Sequence, residues 1–330
     1  MYNEEERYFS SKIEKELGSL YKSRVLVTGA TGLIGGAIVK LLTACGINVI
    51  AQGRSIDKLN KVFTDKPSNL EFLECDLENK NEMDNIICDY IIHCASPTST
   101  YEYVNSPVHV LNFIYQSTLN LLTLAKKINS KGFVFVSSME VYGEIYHENY
   151  LTEREYGYLE YLTPRSSYPV GKRSAESLCI AFCKQFQIPV KIGRLAMVYG
   201  PGVPLSDARV LNYFIKQIKN KETIILKTRG DSKASVIYSY EAAIVLIKIL
   251  INGRSGEAYN VANSDNYYSI LEMAKIAASI GDIKVKCEID NEKQIFYRKS
   301  CCLNLSMEKM LSLGYKPEVS LIDIFRKSLD

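Results

Sequence analysis

Arg24-Val25-Leu26-Val27-Thr28, a short apolar and β-branched run, ends in the glycine-rich turn Gly29-Ala30-Thr31-Gly32-Leu33-Ile34-Gly35. Leu33 to Ala44 then carries apolar residues at helical spacing. Strand, tight turn and helix in that order leave few folds open. Gly29 suits the turn, Gly32 lets the backbone approach a pyrophosphate, and Gly35 lets the helix pack close to the strand. The start of the helix offers free N–H groups and a partial positive charge to phosphates. A glycine-rich turn with no ligand is the plain alternative, and only the surrounding sequence separates the two.

That surrounding sequence alternates. Strand-like runs at Asn48–Ala51, Glu71–Cys75, Tyr90–Cys94, Phe133–Ser137 and Val190–Gly193 are separated by helix-like stretches such as Val104–Ile128 and Arg173–Phe186. Continuously apolar strands alternating with helices imply a parallel sheet covered on both faces. The predicted class is therefore α/β, a Rossmann-type doubly wound parallel sheet. After Arg194 the rhythm changes at Gly200-Pro201-Gly202-Val203-Pro204, and helices and short strands then mix irregularly. This predicts a smaller C-terminal substrate-binding lobe, packed on the first across a cleft. The expected division is a helical extension over 1–23, a dinucleotide-binding domain over 24–195 and a second lobe over 196–330, with 236–263 returning to the first domain. Phe9, Ile13, Leu17 and Leu20 give the extension one apolar face, so a docked helix is expected there.

Charge and cysteine content narrow the possible partners. Forty Lys and Arg stand against 37 Asp and Glu among 330 residues, a net charge of +3, which leaves no footprint for nucleic acid. The nine cysteines form no C-x-x-C pair and no zinc-ligand spacing, so no metal is expected and the thiols read as reduced and mostly buried. The charged start Met1-Tyr2-Asn3-Glu4-Glu5-Glu6-Arg7 has no apolar leader, and Ala242–Ile251 is too short to span a bilayer. A cytoplasmic protein without a membrane partner is the expectation.

Tyr168-Pro169-Val170-Gly171-Lys172 sets a phenol and an ammonium four residues apart, one turn along one helix face. A phenol, with an ordinary pKa near ~10, keeps its proton at neutral pH, and a nearby cation favours its phenolate. Such a phenol exchanges a proton with a substrate hydroxyl while a nicotinamide exchanges hydride at the same carbon. With 23 tyrosines in the chain, the spacing alone carries little weight. It gains weight from Phe133-Val134-Phe135-Val136-Ser137-Ser138, a buried strand ending in hydroxyls ahead of Met139-Glu140-Val141-Tyr142-Gly143.

In these motifs the chain resembles the extended short-chain dehydrogenase/reductase family of nucleotide-sugar epimerases, dehydratases and decarboxylases. The resemblance runs from residue 24 through Arg194-Leu195-Ala196-Met197-Val198-Tyr199-Gly200-Pro201 to Gly256-Glu257-Ala258-Tyr259-Asn260-Val261. It implies catalytic roles for Ser138, Tyr168 and Lys172, with Glu140 a further candidate. It implies cofactor contacts from Gly29, Thr31, Gly32, Leu33, Ile34 and Gly35, from Arg54, Asp76 and Leu77, from Cys94, Ala95 and Ser96, and from Asn112, Tyr168 and Lys172. Ser96, Ser138, Met139, Glu140, Met197 and Arg209 are the candidate substrate contacts. Family members commonly dimerise through two helices from each chain, here the stretches from Val104 and from Ser167, so a homodimer is expected.

Within the family the resemblance is to UDP-glucuronate decarboxylases, through Ser96-Pro97, Asn105-Ser106-Pro107 and Thr163-Pro164-Arg165-Ser166-Ser167-Tyr168. Two departures stand out. Dehydratases carry an Asp-Glu pair where this chain has Met139-Glu140, and a thioether cannot protonate a leaving hydroxyl. The decarboxylases' Arg before a Tyr-Val-Asp segment falls on Ala234, and the ammonium of neighbouring Lys233 does not reproduce a guanidinium fork.

At Ala51-Gln52-Gly53-Arg54-Ser55 the usual NAD-selecting Asp is replaced by Gly53, with Arg54 beside it. NADP(H) is favoured and NAD(H) stays open. The leading expectation is an NADPH-dependent ketoreductase acting on a nucleotide-activated sugar for surface polysaccharide synthesis. An NAD-retaining 4-epimerase or decarboxylase-like enzyme is the alternative, and a catalytically silent NAD(P)-binding regulator is the reading from another class. Glu140 remains open between substrate ligand, epimerisation base and structural acid.

Overall fold

Seven parallel strands form the main sheet of the computed structural model, which describes residues 2–83, 85–201, 203, 207, 209–290, 297 and 300–329. The first six are β1 (Arg24–Thr28), β2 (Asn48–Gly53), β3 (Leu70–Glu74), β4 (Tyr90–His93), β5 (Gly132–Ser138) and β6 (Val190–Leu195). The smaller strands β7 (Met197–Tyr199), β8 (Ile224–Leu226) and β9 (Lys233–Tyr238) follow, and β10 (Ala258–Val261) returns to complete the sheet. In space the order is β10-β6-β5-β4-β1-β2-β3. It reverses between β1 and β4, so the loops leaving those two strands diverge and open a crevice at their carboxyl ends.

Val25, Leu26 and Val27 of β1 are fully buried, as are Ile91 and Ile92 of β4 and Phe133 and Val134 of β5. Side chains on both faces of these strands point into apolar surroundings, which is why helices must cover both sides. The covering helices are α1 (Glu4–Ser11), α2 (Leu33–Ala44), α3 (Ile56–Val62), α4 (Thr100–Asn105), α5 (Pro107–Lys127), α6 (Ser167–Phe186), α7 (Val210–Asn220), α8 (Ser239–Asn252) and α9 (Ile270–Gly281). Helix α5 lies along α6 and α2 along α8.

Two helical expectations are refined. The stretch read as one helix from Val104 is two, because Pro107 has no N–H to continue α4 and instead starts α5. The N-terminal extension is α1, with an Asn3/Glu6 capping box, followed by a 3-10 stretch over Glu14–Ser19. Phe9, Ile13, Leu17 and Leu20 are buried in the same core as β1, and Glu16 pairs with the buried Lys248 of α8 at 2.5 Å.

Beyond β6 a second sheet forms around β9, flanked by β7 and β13 (Cys302–Leu303) in parallel and by β11 (Tyr267–Ser269) antiparallel. Strand β12 (Val285–Cys287) pairs with β8. The chain re-enters the main sheet with α8 and β10, whereas residues 236–238 end β9 in the smaller sheet. Gly202 and Pro204 of the expected Gly200–Pro204 turn lie outside the described residues. Among the described residues no helix is long and apolar enough to cross a membrane.

The glycine turn depends on close approach. Gly29 has φ +64, and a Cβ there would sit 2.8 Å from the Ala95 backbone; a Cβ at Gly35 would strike the Gly29 carbonyl oxygen. Backbone atoms cannot swing aside as a side-chain tip does, so Gly35→Ala is expected to destabilise the fold by about 2–3 kcal/mol. A thermal melt of the variant beside the parent protein measures this.

Candidate active site

The crevice between β1 and β4 is walled by the glycine turn and the 93–96 segment. Gly32 is the N-cap of α2 and no side chain caps the helix, so its first N–H groups face the crevice beside Thr31, Leu33 and Ile34. Gln52, buried at the end of β2, accepts from the Gly29 N–H at 3.1 Å and donates to the Cys75 carbonyl at 2.7 Å. It thereby holds the turn in register with the segment leading to Asp76 and Leu77. Arg54, next along, is exposed. On the other wall, Thr28 and His93 join at 2.8 Å, and the Ala95 N–H donates to Thr28 at 3.3 Å. Burial pushes His93 down to about 3, so the ring is neutral and serves as a tie between β1 and β4.

These features fit a dinucleotide: an uncapped helix start, a backbone cradle that a Cβ would fill, and no carboxylate within Gln52-Gly53-Arg54 at the end of β2. Cys94 and Ser96 continue along the crevice, with Cys94 raised to about 12 by burial and so a thiol. Asp76 is exposed, while Leu77 is buried and its carbonyl accepts from Asn120 at 2.9 Å. Asn112 is exposed on α5 and donates to Glu78 at 2.6 Å, a contact made at the helix surface.

Ser138, Tyr168 and Lys172 come together where β5 ends against α6. Lys172 is buried and donates to the Val136 carbonyl at 2.8 Å; its ammonium lies 5.7 Å from the centre of the Tyr168 ring. Burial lowers Lys172 to about 8 and raises Tyr168 to about 12, the latter partly offset by a hydrogen bond from Ser138. Tyr168 is therefore held as a protonated phenol. Ser138 caps the 3-10 turn Met139–Tyr142, its oxygen accepting from the Glu140 N–H at 3.2 Å.

Glu140 forms a two-pronged pair with Arg165, both bonds 3.1 Å, with both side chains largely buried. Met139 packs against the core. Ala234 is buried in β9, and Lys233 turns outward to Glu148 at 2.7 Å, so the guanidinium beside Glu140 comes from the 164–166 turn and not from β9. Met197 opens β7 and is half-buried. Arg209 is clasped by Asp207 at 2.8 Å, and its charge still reaches Tyr168.

Three participants carried no signal in the residue patterns. Tyr103 of α4 stacks on Tyr168; Arg165 pairs with Glu140; and Glu176, one turn beyond Lys172, binds Arg194 of β6 through both carboxylate oxygens at 3.0 and 2.7 Å. The Ser137 hydroxyl donates to Glu176 at 2.6 Å. Arg194 also donates to the Glu153 carbonyl and the Tyr156 hydroxyl, and its guanidinium lies between the Tyr142 and Tyr156 rings at 5.0 and 5.1 Å. A polar residue within an apolar strand, as at Gln52 and Arg194, was the available hint.

Fold and site together describe a dinucleotide-dependent enzyme of the extended short-chain dehydrogenase/reductase type. The model of the NAD dependent epimerase/dehydratase family matches residues 25–262, and the chain belongs to that family. It is 28% identical to UDP-glucuronic acid decarboxylase 1 of Xenopus tropicalis over 346 residues, covering 98% of this chain and 78% of that protein. Among solved structures, an epimerase of Methanothermobacter thermautotrophicus superposes with a TM-score of 0.85 at 22% identity, over 97% of this chain and 94% of that one. A UDP-glucuronic acid 4-epimerase of Bacillus cereus, in complex with UDP-glucuronic acid and NAD, gives 0.78 at 23% identity, over 93% and 98%.

Removing one partner of the buried Glu176–Arg194 pair strands the other's charge. Glu176→Gln is expected to cost about 3 kcal/mol of stability by urea denaturation, a value typical of such broken pairs.

Proposed function

We propose that the protein is a ketoreductase that uses NADPH in preference to NADH and acts on a nucleotide-activated sugar. The observation that carries the reading is the state of the site's acids. Tyr168 is held protonated near 12, ready to donate, while Glu140 is fixed in a two-pronged pair with Arg165 and Met139 offers no proton. Hydride addition with protonation of the same carbonyl is chemistry these side chains complete without a further acid or base.

A reduced nicotinamide bound in the crevice supplies the hydride. Ser138 and Tyr168 hold the substrate carbonyl oxygen, and the Tyr168 O–H bond breaks as the new hydroxyl O–H bond forms. The charged Lys172 stabilises the phenolate left behind, from a position fixed by Val136. The absence of an acidic side chain in Gln52-Gly53-Arg54, with Arg54 exposed beside the crevice, supports a cofactor bearing a 2'-phosphate. The names of the relatives support a nucleotide sugar as substrate. Exposed Val108, Leu111 and Tyr115 on the outer face of α5, beside α6, support a homodimer built through those helices.

A second reading, internal redox with retained NAD as in an epimerase or decarboxylase, is favoured by the relatives and by a carboxylate at Glu140. Loss of absorbance from NADPH with a panel of UDP-, dTDP-, GDP- and CDP-linked ketosugars is the expected result. Tightly copurifying NAD, with conversion of sugars and no net consumption of cofactor, would replace the first reading by the second. Tyr168→Phe is expected to lower kcat by at least about 100-fold, the usual size of a general-acid contribution. Lys172 carries its charge below about 8 and loses it above, so reductive kcat/KM should fall as pH rises through that value. A pH–rate profile checks it.

A further inference from the structure

Two largely buried arginines flank α6, and they are used differently. Arg194 donates from all three nitrogens, to Glu176, the Glu153 carbonyl and the Tyr156 hydroxyl. Arg165 gives Nη1 and Nη2 to the two oxygens of Glu140, while its Nε–H is buried and has no partner among the described residues. A guanidinium placed for structure alone is expected to satisfy every buried donor. Arg165 leaves one idle, so its placement serves Glu140.

Both ends of this pair are fixed by the elements that carry the site. Glu140 sits in the turn Met139–Tyr142, whose Val141 carbonyl accepts from Arg173 of α6 at 2.7 Å, and its N–H donates to the Ser138 oxygen. Arg165 sits in the turn Pro164–Ser166, which runs directly into α6 three residues ahead of Tyr168. The pair therefore joins the turn after Ser138 to the turn before Tyr168, and only 17% of the Glu140 side chain and 16% of the Arg165 side chain are exposed. A ketone makes the C–H bonds on its two neighbouring carbons acidic, and a free carboxylate beside them is a base for those protons. In general, a carboxylate with both oxygens in a guanidinium fork is a poor one, because the opposite charge and the two hydrogen bonds favour its ionised form.

We propose that Arg165 is a positioning residue that sets the class of reaction: by holding both oxygens of Glu140 it withholds that carboxylate as a base. A ketone bound at Ser138 and Tyr168 then accepts hydride with its neighbouring C–H bonds intact. Without the guanidinium, Glu140 takes a proton from a carbon beside the ketone. The C–H electron pair becomes a C=C bond, the carbonyl π pair goes to oxygen, and the Tyr168 proton caps that oxygen as an enol. Return of the protons restores the ketone, so no oxidant or reductant is consumed. The inference rests on a ketosugar as the substrate of the proposed reaction, and it adds the residue that keeps this ketone from enolising.

The test separates proton exchange from reduction. Protein loaded with NADP+, which offers no hydride, is incubated in D2O with UDP-4-keto-6-deoxyglucose, and loss of the proton signals on the two carbons beside the ketone is followed by NMR. The parent protein is expected to exchange them no faster than buffer. Arg165→Gln, which removes the charge and the fork, is expected to speed exchange at least about 100-fold, the low end of a general-base contribution. Adding Glu140→Gln to that variant should return the rate to the parent level. Arg165→Lys keeps a charge without the fork and should fall between the two. A purely structural Arg165 would lower the melting temperature and leave exchange unchanged. The proposal is overturned if either single Arg165 variant melts cooperatively yet exchanges no faster than the parent, if the acceleration survives Glu140→Gln, or if the parent itself exchanges rapidly. If no nucleotide sugar is reduced by NADPH but exchange appears on loss of Arg165, the ketoreductase reading fails and the role of Arg165 stands.

Discussion

Helix α6 is bolted to the end of β5 by two side chains one turn apart. Lys172 reaches the Val136 carbonyl, and Glu176 takes the Ser137 hydroxyl together with the guanidinium of Arg194 from the next strand. The relative placement of Ser138 and Tyr168 depends on this lock, because Ser138 follows Ser137 directly and Tyr168 precedes Lys172 by one turn. Moving the helix along the strand by a fraction of a turn would shift Tyr168 relative to Ser138. Arg194 extends the lock to the 153–156 segment, so β5, β6, α6 and the loop above them hold one geometry.

Burial gives these groups their character. The same apolar surroundings that keep Tyr168 protonated lower Lys172 to about 8 and leave His93 neutral. His93, with a neutral ring between Thr28 and Ser117, serves the sheet as a polar tie between strands on either side of the crevice. The buried charges of Glu176 and Arg194 survive by satisfying each other and three further polar groups, the Ser137 hydroxyl, the Glu153 carbonyl and the Tyr156 hydroxyl.

The glycine turn, the Tyr168–Lys172 spacing and the strand ending in Ser138 were all legible because each is a local pattern: residues within a turn or two, whose relative placement follows from helix or strand geometry alone. The departures at Met139 and Ala234 were legible only through the family resemblance, as differences from what it implies at those positions. What stayed hidden joins distant segments. Arg165 and Glu140 are 25 residues apart. Tyr103 reaches Tyr168 from another helix, and its ring was indistinguishable in sequence from many other tyrosines. Asn112 shows the converse: the family resemblance implied a cofactor contact, and the fold puts its amide on the surface against Glu78. The break between α4 and α5 at Pro107 lets α4 carry Tyr103 over the site instead of continuing the line of α5.

By itself, then, the sequence determined the strand-and-helix alternation of the first domain, the glycine turn and the Tyr168–Lys172 spacing, since periodicity and steric limits act over a few residues and need no partner. Only the tertiary structure decided which cation faces Glu140, which ring stacks on Tyr168 and how far each buried group departs from its ordinary pKa. Those properties are set by distance and exclusion of water, and both are fixed by packing between segments far apart in the chain.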